Sequence, residues 1–89
     1  MKTVMIFHEV DDVDHWLNSS KRDEFFGPYG MTVQTFVDPA GTNRVGLIAQ
    51  VPDMDTLHEA LQTEAAADAM KHDGVHAETI VMLVHSEDL

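Results

Sequence analysis

An apolar run, Val4–Phe7, sits within Thr3–Val10 (TVMIFHEV), a stretch rich in β-branched and aromatic residues and too short for a buried helix, which predicts a first strand. Asp11 and Asp12 then predict a helix start. Either carboxylate can accept from the free N–H groups of a first turn, and both complement the helix dipole. Val13, Trp16, Leu17, Ser20 and Glu24 recur at the spacing of one helical face, which predicts a single helix running toward Phe25–Phe26. Gly27-Pro28-Tyr29-Gly30 ends it, because proline cannot continue a helix and glycine supplies a positive φ. Met31–Val37 reads as a second strand. Asp38-Pro39-Ala40-Gly41-Thr42-Asn43 is a turn into a third, Arg44–Val51. Pro52 with Asp53 or Asp55 opens a second helix with an apolar stripe of Leu57, Ala60 and Leu61. Thr63 caps a further helical stretch that Asp73-Gly74 stops, and Glu78–Val84 is the fourth strand.

The order β-α-β-β-α-β, with right-handed crossovers, predicts one α+β domain over residues 1–89. Its expected form is a ferredoxin-like, four-stranded antiparallel sheet of order 4-1-3-2 with the helices on one face. Alternation then sorts the strand residues between the two faces. Val45, Leu47, Ala49 and Val51 are wholly apolar and belong beneath the helices. Val33, Thr35 and Val37 are assigned to the same side, as are Thr3, Met5 and Phe7, and Ile80, Met82 and Val84. The open face receives Val4, Ile6, Phe36, Ile48, Val81 and Leu83, with His8, Thr32, Gln34, Gln50 and His85 among them. Such a face is too apolar for water and too polar for a plain core, and patches of this kind mark interfaces or ligand sites.

Composition bears on that choice. A chain of 89 residues buries only roughly 60–65% of its unfolded surface, so it gains from a cross-link, a metal or a partner copy. No cysteine is present, which removes disulfides and thiolate metal sites and fits a reducing cytoplasm. A histidine/carboxylate metal site or a homodimer remains, and the apolar open face favours the homodimer, two sheets packed face to face around a cleft. Five basic residues against sixteen acidic ones give a net charge of −11. Lys2, Lys21, Lys71, Arg22 and Arg44 are scattered, so neither nucleic acid nor an anionic membrane is an expected partner. The acidic excess suits either a salt-adapted source or an ordinary acidic cytosolic protein. No apolar run approaches the roughly 20 residues of a membrane span, and MKTVMIFHEV reads as a strand rather than a signal peptide.

His8, at a strand end, has two readings: a general acid or base titrating near neutrality, or a histidine bonded to backbone or to a partner copy. It is expected near Phe36, Asp38 and Arg44, with His85 at the opposite end near Thr32 and Gln50. Trp16 belongs to the helix's apolar face, and His15 lies at the cleft mouth or on the surface. His72 and His76, with Asp73 and Glu78 nearby, have the spacing of two metal ligands on a helix, but Gly74 ends that helix between them, and no metal is assigned.

His8-Glu9, the acidic turn Asp11, Asp12 and Asp14, Trp16, Phe26-Gly27-Pro28, Asn43-Arg44-Val45-Gly46 and Asp73-Gly74-Val75, set in the β-α-β-β-α-β order, resemble the dimeric α/β-barrel superfamily over Lys2–His85. Within it the chain is most similar to a small bacterial branch of antibiotic-biosynthesis monooxygenase and cyclase type. The resemblance implies a homodimer, a site between helices and sheet or inside the barrel, and cofactor-free oxygenase, cyclase or isomerase chemistry on a hydrophobic or aromatic small molecule. With the face assignment, it casts His8 as the acid/base. Gln34, Gln50 and Arg44 would orient a carbonyl or oxyanion, and Trp16, Phe36, Ile48 and Leu83 would form the wall, with His15 and His85 at its ends. A non-catalytic binding or dimerisation module is the alternative.

Overall fold

In the computed structural model, which describes residues 1–89, four strands lie in the order β2 (Thr32–Val37), β3 (Arg44–Val51), β1 (Lys2–Val10), β4 (Val75–Val84). Every neighbouring pair is antiparallel. This is the predicted 4-1-3-2 sheet of a ferredoxin-like α+β fold, open at both edges. Helices α1 (Val13–Asn18), α2 (Lys21–Phe26), α3 (Met54–Leu61) and α4 (Glu64–Asp73) supply the cover.

The caps follow the sequence. The Asp12 carboxylate accepts from the His15 N–H at 3.1 Å, Asp53 from Thr56 at 2.7 Å, and the Thr63 hydroxyl from Ala66 at 3.2 Å. Gly74 closes α4 at φ 69°, where a Cβ would meet the Asp11 side chain at 3.0 Å.

The expected single first helix is instead two short ones. Ser19 is extended at ψ 137°, its hydroxyl bonds the Asp73 carboxylate on α4, and it accepts from the Lys21 N–H. Serine competes in this way with the helical ladder. The apolar spacing continued through the break, so periodicity alone could not show it. β4 also begins earlier than expected, at Val75.

The core lies between sheet and helices: Val4, Ile6, Val10, Val45, Leu47, Ala49 and Val51 from the strands, with Trp16, Phe26, Met31 and Leu57 above them. This corrects the assignment of β1. Val4, Ile6 and His8 face the helices, while Met5 and Phe7 lie on the open side. Both faces of TVMIFHEV are apolar, as expected of a central strand, so alternation within it does not choose between them. The pairing does: Val4 opposes Ala49, Ile6 opposes Leu47, and His8 opposes Val45, and opposed residues share a face. The sides assigned to β3 and β4 stand, with Met82 packed on the core and Val81 and Leu83 exposed. On β2, Val33 packs against the core, but Thr35 and Val37 are exposed at the sheet edge, beyond the helical cover.

Candidate functional site

The turn of β1 separates the expected site into two. Beneath the helices, His8 is only 6% exposed, its ring edge-on to Trp16 with centroids 5.7 Å apart. Its Nδ1 has no hydrogen-bond partner, the sole buried side-chain nitrogen or oxygen of which this holds. Buried polar atoms are nearly always paired, so an orphan of this kind asks for a reason. Burial pushes the imidazole below its ordinary pKa of 6.5, the backbone of Glu9 pulls the other way, and the charge of Arg22 lowers it further. The ring is therefore neutral at pH 7.

His8 borders an apolar cavity of about 90 Å³ between sheet and helices. Trp16, Phe25, Leu47 and Met82 form much of its wall, and Arg22 and Asp73 are its only charged residues. The Arg22 guanidinium stacks 4.3 Å from the Trp16 ring centre and donates to the Trp16 carbonyl at 3.1 Å, which fixes a cation beside a neutral imidazole. Asp73, 4% exposed, accepts from the Ser19 hydroxyl at 2.5 Å and lies 2.9 Å from His72 Nδ1. This set can accept a proton at His8 and steady the anion that remains through Arg22.

The other expected residues occupy the open face. Phe36, Ile48, Gln34, Gln50 and Leu83 stand there with Met5 and Phe7. Phe7 and Phe36 flank Gly46, whose missing side chain leaves room for the Phe7 ring, 3.4 Å from where a Cβ would stand. The result is a wide hollow of about 550 Å³, bordered at one end by Arg44. Arg44 is not free within it. It bonds Asp38 at 2.8 Å, across the β2–β3 turn. The Thr42 hydroxyl, the Ala40 N–H and Arg44 together hold the Asp38 carboxyl down at about 2. His85 lies at the opposite end, where its N–H donates to the Thr3 carbonyl and its ring accepts from Glu87. Thr3 also donates to Gln50 there, at 3.0 Å.

His8 borders this hollow along with Phe36, Asp38 and Arg44, as expected, but its ring turns to the other face of the sheet, against Trp16. Of the named residues, His8 and Trp16 come together, and the rest stand on the far side or, for His15, on the outer surface of α1. His15 donates from Nε2 to the His72 carbonyl at 2.8 Å. Arg22 was missed, and Asp73 was weighed only beside His72 and His76, not as part of this cavity. Signals for both existed: Arg22 is one of only two arginines in an acidic chain, and Asp73 is an acid in a helix's last turn, where the dipole opposes it.

No family model matches the chain, and no curated protein matches it in sequence. Solved structures do match in shape. An antibiotic biosynthesis monooxygenase superposes with a TM-score of 0.65 at 13% identity, covering 97% of each chain. A conserved protein of unknown function from Bacteroides thetaiotaomicron, suggested to be an oxidoreductase, gives 0.55 at 12%, covering 94% of this chain and 92% of that one. A candidate antibiotic biosynthesis monooxygenase from Deinococcus radiodurans gives 0.53 at 13%, covering 97% and 91%. At such identities the likeness is one of architecture: this chain is built on the same ferredoxin-like scaffold as these structures.

Proposed function

We propose that the chain is a cofactor-independent enzyme of the monooxygenase, cyclase or isomerase type, acting in the cytoplasm as a homodimer on a hydrophobic, aromatic small molecule. The observation that carries this reading is the buried, unpartnered Nδ1 of His8 at an apolar cavity, beside Trp16 and Arg22. A neutral imidazole in an apolar site takes a proton from an activated C–H or phenolic O–H, and the fixed guanidinium stabilises the resulting carbanion or phenolate. The second chain packs on the open face, where Phe7, Phe36, Val81 and Leu83 are 42–53% exposed.

The cavity sets a condition. A pocket of about 150 Å³ already takes benzene, so 90 Å³ is short for a substituted ring. Substrate entry requires the cover to give, and the break at Ser19–Ser20 divides that cover into short helices. The same small volume favours the second reading, a non-catalytic dimerisation or binding module. Thermal shift against phenols, quinones and polyketide-like aromatics identifies a ligand, and turnover of that ligand separates the readings. His8→Gln should lower kcat by about 10²- to 10⁴-fold, the usual share of a general base, with folding and mass unchanged. Unchanged kinetics in that variant would remove His8 from the chemistry.

A further inference from the structure

His72 and His76 have ligand spacing in the sequence, but the turn at Gly74 sends them apart. His76 Nε2 donates to the Asp11 carboxylate at 2.5 Å, while His72 faces a different histidine. We propose that His15 on α1 and His72 and Asp73 on α4 form a binding site for a first-row divalent cation of the Zn²⁺ kind. This inference does not depend on the catalytic reading.

Each of the three side chains offers one ligand atom, and these atoms all lie within 4.8 Å of one another. A tetrahedral ion with bonds of about 2.0–2.2 Å spaces its ligands by roughly 3.3–3.6 Å. The required closure is small, and His15 and His72 are exposed and can turn to meet it. Their rings already stand 5.2 Å apart between centroids, tilted by 36°. Two imidazoles and one carboxylate suit Zn²⁺, Co²⁺ or Ni²⁺, whereas Mg²⁺ and Ca²⁺ prefer oxygen ligands throughout.

The charge balance at Asp73 points the same way. This carboxylate is 4% exposed, yet no lysine or arginine pairs with it. Its partners are a neutral hydroxyl, Ser19, and the imidazole of His72. It also sits in the last turn of α4, where the helix dipole is unfavourable to an anion. Within the chain only a protonated His72 could compensate this buried carboxylate, and a divalent cation held by the same residues supplies the charge more fully. The Ser19 hydroxyl then acts as the support that orients a ligating carboxylate. Asp73 also lines the cavity, so the ion would stand at its rim and tie α1 to α4.

The test is calorimetric titration of the metal-free full chain with ZnCl₂, beside thermal melts with MgCl₂ as the control ion. One Zn²⁺ per chain should bind and raise the Tm, a chelator should reverse the shift, and Mg²⁺ should give none. His15→Ala and His72→Ala should each weaken Zn²⁺ binding by at least about 10- to 100-fold, a loss that even supporting residues cause at metal sites. Both positions are exposed, so these variants stay informative if Asp73→Asn fails to fold. His76→Ala and His58→Ala should leave the affinity unchanged. Ni²⁺ should broaden the imidazole NMR signals of His15 and His72 selectively. Absence of saturable Zn²⁺ binding, equal affinity in His15→Ala and His72→Ala, or loss in His76→Ala would each overturn the site.

Discussion

Ile6 and Phe7 are neighbours on β1 and differ more in surroundings than in character. Ile6 is 6% exposed beneath the helices, and Phe7 is 42% exposed on the other face. The covered face is closed by the chain's own helices and holds an unpaired imidazole in an apolar cavity. The open face carries aromatic and aliphatic side chains around a glycine, with nothing from its own chain above them. The sheet has two apolar faces and helices for only one: the first face completes the fold, and the second stands uncovered by its own chain.

Three outcomes would break or sharpen that contrast. The largest is in stability. Ile6→Ala should cost about 2–5 kcal/mol in urea unfolding, through lost burial and a residual cavity. Phe7→Ala, measured dilute enough to keep chains single, should cost less than half as much. Equal losses would mean that the open face is folded over in solution. The next concerns association. Wild-type chain should scatter light at about twice its 9.9 kDa, and Leu83→Asp should return it to the single-chain mass by placing a charge within an apolar contact. A variant that stays dimeric would move the interface elsewhere.

The smallest effect lies at His8. His8→Leu removes an unpaired buried polar atom, so stability at pH 7 should be unchanged or rise by about 1–2 kcal/mol while turnover is lost. Its pH dependence has a definite sign. The folded-state pKa of His8 lies below 6.5, so below pH 6.5 the unfolded chain binds more protons and stability falls as pH drops toward the folded value. His8→Leu should flatten that slope in urea midpoints taken across the acid range. His76, raised by its bond to Asp11, acts oppositely: its contribution is complete below pH 6.5 and fades as pH climbs through its folded value.

Strand order was legible in the sequence from the element order and right-handed crossovers, and the helix caps and the stop at Gly74 from local signals: an acidic or hydroxyl cap, a glycine. The side of β1 was not. Its two faces are equally apolar, and only its register against the one-sided β3 settles which is covered. That single reversal moved the His8 ring from the open face to the cavity and turned it away from Gln34, Gln50 and Arg44. The break at Ser19–Ser20 was hidden for a related reason, since the bond to Asp73 that secures it spans 54 residues. The His15–His72 pairing likewise depends on packing between helices 57 residues apart in sequence.

The irregular pairing of β1 with β4 has a consequence for how the molecule keeps to itself. Phe7 pairs with Val81 and Glu9 with His76, so two steps along β1 answer five along β4. The Thr79 hydroxyl fills the gap, accepting from the Glu9 N–H and donating to the His76 carbonyl. β4 is an outer strand of ten residues with exposed Val81 and Leu83, the kind of edge on which stray chains add as further strands. The irregularity interrupts that template partway along, and Glu78 sets a charge beside it. The opposite edge, β2, is only six residues long and is followed by Asp38-Pro39. Both margins of the sheet are thus poor templates for adding a stray strand.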